Sequence, residues 1–252
     1  MTGAPAGYTR FLQGSADVVA LGACAEAVRR AVGARSLYDY AATHPSRREL
    51  RGRGVAYAVP LPDGETRVVI RHSRHGGLLA PVTGDRFLPP TRAPHELRMA
   101  LRLAEAHVPT PEVIAYATYP AGAMFRRSDV ATREVVGGND LGNVLARAGD
   151  GEARTKALGA TAELLRALER AGARHPDLNV TNVLIVATDG LPPRALVLDV
   201  DRVVFGERGD VRIGAVNVRR LLRSARKLRA NGRITISDEE LSRLAADAGH
   251  HA

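Results

Sequence analysis

The chain has 252 residues, 45% hydrophobic and 25% charged, so an ordinary globular protein is expected and extensive disorder is excluded. The single cysteine, Cys24, excludes an internal disulfide and fits a reducing compartment such as the cytoplasm. No apolar run approaches the roughly 18 residues that are needed to span a bilayer.

The charge balance indicates an anionic partner. The formal net charge is +9, and nearly all basic residues are arginine, with Lys156 and Lys227 the only lysines. Aromatic residues make up 4% of the chain and tryptophan is absent, so the stacking surfaces of single-strand binders are lacking. We therefore expect a nucleotide or an anionic glycolipid as partner, and no nucleic acid.

The first half of the chain predicts a small β-rich lobe. Residues 1–49 contain one short helix and no motif, so they are assigned to an N-terminal extension. Pro94 suits the first turn of a helix and is predicted to open one. Residues 50–136 are predicted to form the lobe. Its strands are expected from their β-branched and alternating residues at 51–59, 66–71, 113–119 and 124–136.

Gly137 and Gly138 interrupt this pattern and predict a hinge, after which residues 137–252 form a mainly helical lobe. Asp140 is a candidate cap for a short helix at its start. Four further elements are predicted: a long helix at 152–171, strands at 182–186 and 195–200, and a basic amphipathic helix at 216–230. This order of elements favours an α+β, two-lobed, protein-kinase-like fold.

The segment from His175 to Asn182 carries the strongest functional signal. It follows the pattern His-x-Asp-x-x-x-x-Asn, which is typical of a protein-kinase catalytic loop. Asp177 is the candidate catalytic base, and Asn182 is a candidate oxygen ligand for magnesium. Asp199 ends an apolar run, where a kinase places the carboxylate that binds the metal against the ATP phosphates. These residues together predict phosphoryl transfer from ATP with magnesium.

Two neighbouring residues have roles that the sequence leaves open. His175 is counted among the catalytic residues, but we favour support of the loop through hydrogen bonds over direct chemistry. Asp201 is either a further acidic metal ligand or the ion-pair partner of Arg202. The alternative for Asp177 is an ordinary turn residue after a proline.

A kinase also needs a cation against the nucleotide phosphates, and an arginine is predicted here in place of the usual lysine. Neither lysine precedes the hinge, whereas Arg71 ends the second predicted strand. Arginine stays charged and binds phosphate oxygens through a fork of donors. Its expected partner is Glu96 in the first turn of the following helix, with Glu105 as the alternative.

Two further segments are predicted to contact ATP. Gly52 and Gly54 form an incomplete version of the glycine-rich loop that covers the phosphates in kinases. The stretch that ends at Val136 is expected to offer backbone groups to adenine, which makes Glu134 and Val136 candidates for cofactor binding.

Several short motifs make the chain resemble a known family. The most specific are Arg-His-x-Arg-x-Gly-Gly-Leu at 71–78 and Asp-x-Asp-Arg at 199–202. They are joined by Asp-Arg-Phe at 85–87, Thr-Arg-Ala at 91–93 and the His-Pro-Asp-Leu-Asn loop. With these motifs, residues 50–230 resemble the lipopolysaccharide kinase family of Kdo (3-deoxy-D-manno-octulosonic acid) and heptose kinases, and the Kdo kinases most closely.

The resemblance implies transfer of the γ-phosphate of ATP to the 4-hydroxyl of Kdo on a lipid A precursor, with magnesium. It also implies an enzyme of the cytoplasm in peripheral contact with the inner membrane of a bacterium. The basic helix at 216–230 either meets anionic lipid or presents a solvated face. Arg74, His75 and Arg86 are candidate contacts for acidic groups of this acceptor, Kdo-lipid A.

Two residues depart from the family pattern, Pro176 in the loop and Val200 within Asp-x-Asp. The alternatives are a kinase for heptose, for another small molecule or for a protein, and a nucleotide-binding pseudokinase. The intact set of Asp177, Asn182 and Asp199 argues against the pseudokinase.

Overall fold

The computed structural model describes residues 3–33, 35–51, 54–73, 87–147, 151–188 and 190–250. The chain divides into two compact units. The first comprises Met1–Arg98 and Glu112–Glu134, and the second comprises Met99–Pro111 and Val135–Ala252.

The first unit is built on an antiparallel sheet. Seven described strands form it: β1 (Tyr8–Gln13), β2 (Ala16–Leu21), β3 (Arg48–Arg51), β4 (Val55–Pro60), β5 (Arg67–His72), β6 (Val113–Pro120) and β7 (Arg126–Arg133). They lie in the order β1-β2-β6-β7-β5-β4-β3. Since side chains alternate between the faces of a strand, Val68 and Ile70 of β5 both point into the core and are fully buried.

Two helices contribute to the same core. Helix α1 (Ala25–Val32) buries Val28 and Val32, which lie one turn apart on one face. Helix α2 (Leu37–Thr43) begins at Ser36, whose hydroxyl accepts a hydrogen bond from the Asp39 N–H at 3.0 Å. Leu37 belongs to the same buried cluster as the apolar residues of the sheet.

The structure places the predicted N-terminal extension, residues 1–49, within the first unit. Strands β1 and β2 form a hairpin, and β2 pairs with β6 from Asp17↔Thr118 to Ala20↔Ala115. The hairpin is difficult to predict because none of the β1 side chains is fully buried, so the strand lacks a clear apolar alternation.

Helix α3 (Ala93–Glu105) has Pro94 in its first turn, as predicted. Glu96, also in the first turn, suits the positive end of the helix dipole. Leu97 of the same turn is buried. The helix therefore begins with a buried acidic residue beside an apolar one.

The second unit is mainly helical. Its described elements are β8 (Gly138–Asp140), α4 (Leu141–Ala146), α5 (Gly151–Ala171), β9 (Ala173–Arg174), β10 (Val183–Thr188), β11 (Leu191–Val197), β12 (Val204–Phe205), α6 (Val211–Ala230) and α7 (Asp238–Asp247). The strands form the sheets β11-β10-β8 and β12-β9. Asp140 caps α4 by accepting from the Asn143 N–H at 2.9 Å, and burial raises the pKa of Asp140 despite this bond.

The end of α5 sets the start of the predicted catalytic loop. Gly172 has φ +66°, and a Cβ there would lie 2.4 Å from the Glu207 carbonyl oxygen, so only glycine fits. The Gly206 N–H donates to the Gly172 carbonyl at 2.8 Å, next to the β9–β12 pair. None of the helices in the described ranges is long and apolar enough to cross a membrane.

Candidate active site

The predicted catalytic loop begins after β9 with a fully buried histidine. The His175 N–H donates to Asn217 Oδ1 at 3.0 Å, and none of the residue is exposed. Its Nδ1 accepts from the Asp177 N–H at 3.2 Å, which assigns the proton to Nε2, and Nε2 donates to the Leu198 carbonyl at 3.0 Å. The imidazole therefore joins the loop to the residue that precedes Asp199.

Asn217 on α6 is a site residue that the sequence analysis missed. Its fully buried side chain donates through Nδ2 to the Ala173 carbonyl at 2.8 Å and accepts from His175 through Oδ1. Both polar groups of this amide are satisfied, so it fixes the backbone at the start of the loop. The only signal in the sequence is one asparagine on the apolar side of a basic helix, which is not distinctive.

Asp177 and Asn182 are held together within the loop. The Asp177 carbonyl accepts hydrogen bonds from the side-chain amides of Asn179 at 2.8 Å and Asn182 at 3.0 Å. Because Asn182 uses its amide N–H here, its Oδ1 remains as an oxygen donor. The Leu198 N–H donates to the Asn182 carbonyl at 2.9 Å, which brings the segment of Asp199 beside the loop.

Asp199 has an uncommon backbone conformation. Its φ of 57° and ψ of 49° lie in the left-handed region, which aspartate tolerates better than most residues other than glycine. The strand predicted to run to Val200 ends at Val197, and a 3-10 turn follows at Val200–Arg202. The left-handed residue is the physical reason, since it cannot continue an extended strand. Backbone strain of this kind clusters at functional sites.

Arg202 forms an ion pair with the candidate base. Its Nη1 donates to Asp177 Oδ2 at 2.7 Å, and the two side chains are 52% and 31% exposed. The sequence left open whether Arg202 pairs with Asp201, which lies beside it in the same 3-10 turn. The structure pairs Arg202 with Asp177 instead.

In the first unit, the structure brings the predicted clamp residues together. Arg71 Nη2, at the end of β5, donates to Glu96 Oε1 on α3 at 2.6 Å. The carboxylate is nearly buried, with 5% of the Glu96 side chain exposed. Of the two glutamates considered, Glu96 is therefore the partner and Glu105 is not.

A second polar cluster fixes the chain directly after Arg71. His72 Nδ1 contacts the fully buried carboxylate of Asp129 on β7. The Tyr38 N–H donates to the same carboxylate at 3.0 Å, and the Tyr38 ring stacks on the His72 ring with centroids 3.9 Å apart. The end of β5 is thus held by buried contacts on both sides of the strand.

Residues 41–247 match the model of a protein family described as the lipopolysaccharide kinase (Kdo/WaaP) family. The chain belongs to this family. The match confirms the predicted family, and it assigns the chain to a class of phosphotransferases. A solved structure described as WaaP in complex with acyl carrier protein has a TM-score of 0.55 at 17% identity, over 88% of this chain and 85% of that one. This likeness supports the α+β, protein-kinase-like fold, which is also confirmed.

Curated relatives in the lipopolysaccharide kinase family carry the name 3-deoxy-D-manno-octulosonic acid kinase. The protein of Stenotrophomonas maltophilia is 32% identical over 202 residues, which cover 77% of this chain and 74% of the relative. The protein of Xanthomonas oryzae pv. oryzae is 32% identical over 204 residues, with the same coverage of 77% and 74%. The protein of Vibrio parahaemolyticus is 29% identical over 180 residues, covering 70% and 71%.

In this lipopolysaccharide kinase, the Glu134 side chain is held by ion pairs with two arginines of the sheet. Arg48 and Arg67 donate to its carboxylate at 2.7 and 2.6 Å. Burial acts to raise the pKa of Glu134, but these hydrogen bonds outweigh it and the pKa lies below its ordinary value. For the predicted contact with adenine, this leaves the backbone groups of the segment. Neither the Glu134 carbonyl nor the Val136 N–H forms a backbone hydrogen bond with any described residue.

The remaining predicted contacts can be placed only in part. Gly54 lies in an exposed bend before β4. Gly52 lies outside the described residues, as do Arg74, His75 and Arg86.

The oxygen donors near the loop of the lipopolysaccharide kinase suit a magnesium ion. The Asp199 carboxylate and Asn182 Oδ1 are hard donors of the kind that magnesium prefers. Asn182 Oδ1 is not used in the hydrogen bonds that hold the loop, because the amide N–H makes that bond. In a kinase, one carboxylate and one amide hold the ion together with phosphate oxygens, so this set of residues fits the role.

Proposed function

We propose that this kinase transfers the γ-phosphate of ATP to the 4-hydroxyl of Kdo in lipid A-linked lipopolysaccharide. The observation that carries the proposal is the junction of two segments at Leu198. The Leu198 carbonyl accepts from His175, and its N–H donates to the carbonyl of Asn182. This junction supports a site in which Asp177, Asn182 and Asp199 act on one nucleotide.

The proposed chemistry is an in-line transfer. Asp177 accepts the proton of the acceptor hydroxyl while the hydroxyl oxygen forms a bond to the γ-phosphorus. The bond from the γ-phosphorus to the bridging oxygen breaks, and ADP leaves with that oxygen. Magnesium, held by Asn182 and Asp199, would neutralise charge on the phosphate oxygens, with Asp201 as a further candidate ligand. His175 is proposed as a positioning residue, since its burial keeps it from the substrate.

The residues predicted to bind the nucleotide keep that role in this proposal. Arg71, oriented by Glu96, would bind phosphate oxygens in place of the lysine found in most kinases. The Glu134 carbonyl and the Val136 N–H are the proposed partners of adenine. Gly54, together with Gly52, would cover the phosphates.

The acceptor is proposed from the relatives and from charge. The relatives named above are Kdo kinases, and Kdo-lipid A is an anionic glycolipid that suits a chain with a net charge of +9. We place the reaction in the cytoplasm, where ATP is available, at the inner face of the membrane that carries the glycolipid.

Helix α6 supports peripheral contact with that membrane. Arg219, Arg223, Arg226 and Lys227 are exposed on one face, and within the described ranges none of them pairs with an acidic side chain. Each such charge near an anionic surface contributes about 1 kcal/mol.

Sedimentation with vesicles checks this contact. We expect binding to vesicles with anionic lipid and little binding to zwitterionic ones, and equal behaviour of the two would contradict it.

Mass spectrometry of Kdo-lipid A after incubation with the full chain, ATP and magnesium tests the reaction. We expect a gain of one phosphate on Kdo, and a loss of about 100- to 10,000-fold in rate for Asp177→Ala. Asp17→Ala is the matched control, because it breaks an exposed ion pair with Arg10 in the first unit. Phosphate on a heptose-containing acceptor, with none on Kdo-lipid A, would identify heptose as the acceptor instead. Equal product from wild type and Asp177→Ala would show that Asp177 is not the base, and no product from wild type with any acceptor would indicate a pseudokinase.

A further inference from the structure

The side chain of Arg202 has more hydrogen-bonding capacity than its contact with Asp177 uses. A guanidinium carries five N–H donors in a fixed plane. In the described part of the chain, Asp177 is the hydrogen-bond partner of Arg202, through Nη1 alone. The side chain as a whole is 52% exposed to solvent.

The proposed reaction brings the acceptor sugar close to these free donors of Arg202. The acceptor hydroxyl must come within a hydrogen bond of the Asp177 carboxylate to give up its proton, and Arg202 Nη1 already lies 2.7 Å from Oδ2 of that carboxylate. When the hydroxyl binds Asp177 Oδ2, its oxygen and Arg202 Nη1 are therefore roughly 6 Å apart or less. A charged group on the same sugar ring lies within reach of the unused donors.

A role in folding does not account for this arginine. Exposed ion pairs contribute little to stability, because water screens them and the long side chains lose rotamer freedom. The Arg202–Asp177 contact is of this half-exposed kind and uses one nitrogen, so it lacks the two-bond geometry of a strong pair. By contrast, the backbone of Asp177 is already held by His175 and by the amides of Asn179 and Asn182.

We propose that Arg202 is a specificity-determining residue that binds the carboxylate of the acceptor sugar acid while it remains against Asp177. Guanidinium and carboxylate match as a forked pair, and the bond is charge-assisted. Binding at this point would turn the sugar so that one particular hydroxyl faces Asp177. The inference rests on the proposed function, since it requires Asp177 as the base and a sugar acid as the acceptor.

The test measures two enzymes on each of two acceptors and compares their preference for the carboxylate. Wild type and Arg202→Gln are assayed with Kdo-lipid A and with the same lipid whose Kdo carboxylate has been converted to an amide. We expect wild type to prefer the carboxylate by about 10- to 100-fold in kcat/KM, as suits a hydrogen bond between charged groups. Arg202→Gln should lose this preference and should show a raised acceptor KM with an unchanged KM for ATP. Arg202→Lys should keep part of the preference, because it keeps the charge without the fork.

The matched control is Arg194→Gln, which removes the same charge from an exposed position on β11. It should leave the preference intact. A merely structural Arg202 would lower kcat equally for both acceptors, and that result overturns the inference. A third acceptor, from which the lipid A phosphates have been removed, separates the two anions. If Arg202 discriminates only when those phosphates are present, the carboxylate is not its ligand.

The outcomes also distinguish this inference from the proposed function. If wild type transfers no phosphate to Kdo-lipid A, the proposed function fails and the role of Arg202 fails with it. If wild type is active and Arg202→Gln still prefers the carboxylate by the same factor, only the role of Arg202 is wrong. Thermal unfolding of each variant checks that the variant is folded under the assay conditions.

Discussion

The two units hold their proposed functional residues in different ways. In the first unit, the cation of Arg71 forms a charged contact with the side chain of Glu96. In the second unit, the loop of Asp177 is held mainly by neutral hydrogen bonds to the backbone, from His175 and Asn217. A charged contact between side chains can be altered without disturbing the chain around it, whereas buried neutral bonds set the backbone itself. Substitutions in the first unit should therefore change nucleotide binding without changing stability. Substitutions in the second unit should lower kcat and stability together.

The largest effect is expected from Asn217→Ala in the second unit. The change leaves the His175 N–H and the Ala173 carbonyl buried without partners, at a cost of about 2–4 kcal/mol in the free energy of unfolding. Urea unfolding measures the loss, and kcat should fall with it because the loop is no longer fixed. Asn231→Ala, at the exposed end of the same helix, is the matched control. If stability drops while kcat is unchanged, the coupling proposed for this unit is wrong.

A smaller effect is expected from Arg71→Lys in the first unit. Lysine keeps a cation beside Glu96 and so preserves stability, but it loses the fork of donors that is proposed to bind phosphate. We expect the KM for ATP to rise about 10-fold, with a change of less than about 1 kcal/mol in unfolding. Arg10→Lys on β1 should leave the KM unchanged, since Arg10 pairs with Asp17 at the surface. An unaltered KM in Arg71→Lys would remove the arginine from the nucleotide site.

The smallest effect is expected from the pH dependence of Glu134. Its pKa is lower in the folded chain than in the unfolded chain, because Arg48 and Arg67 outweigh burial. Its contribution to stability is therefore present above the unfolded-chain pKa, near 4.3, and is lost as the pH falls through the folded value. The difference in unfolding free energy between wild type and Glu134→Gln should shrink on acidification below about pH 5.

This difference should stay below about 1 kcal/mol, because both arginines are largely exposed, at 59% and 44%. Glu65→Gln, at an exposed turn, should show no such dependence. If the difference in unfolding free energy between wild type and Glu134→Gln widens on acidification, the pKa of Glu134 is raised and not lowered.

The parts of the molecule that were predictable from sequence are the ones whose signals are local. The helix capped by Asp140, the long helix that ends at Gly172 and the order of elements follow from short patterns, and the structure contains them. The resemblance to the lipopolysaccharide kinase family likewise depends on contiguous motifs. The site roles of Asp177, Asn182 and Asp199 stay predictions, although the structure brings their segments together.

The parts that were not predictable depend on contacts between distant residues. Arg202 reaches Asp177 across 25 positions of the chain, and its neighbour Asp201 was the simpler partner to expect. Asn217 reaches the catalytic loop across 42 positions, and one polar residue in an amphipathic helix carries no signal of its target. The β1–β2 hairpin was missed because β1 is partly exposed on both faces, and because β6, the strand that pairs with β2, lies about a hundred residues away in sequence.

The left-handed backbone of Asp199 determines which substitution can test its proposed role as a metal ligand. Alanine at this position would remove the carboxylate and also strain the turn, so lost turnover could not be attributed to either cause alone. Asparagine accepts the same φ and ψ while it deletes the negative charge. Asp199→Asn is therefore the variant that isolates the contribution of the carboxylate, because it leaves the backbone of the turn unstrained.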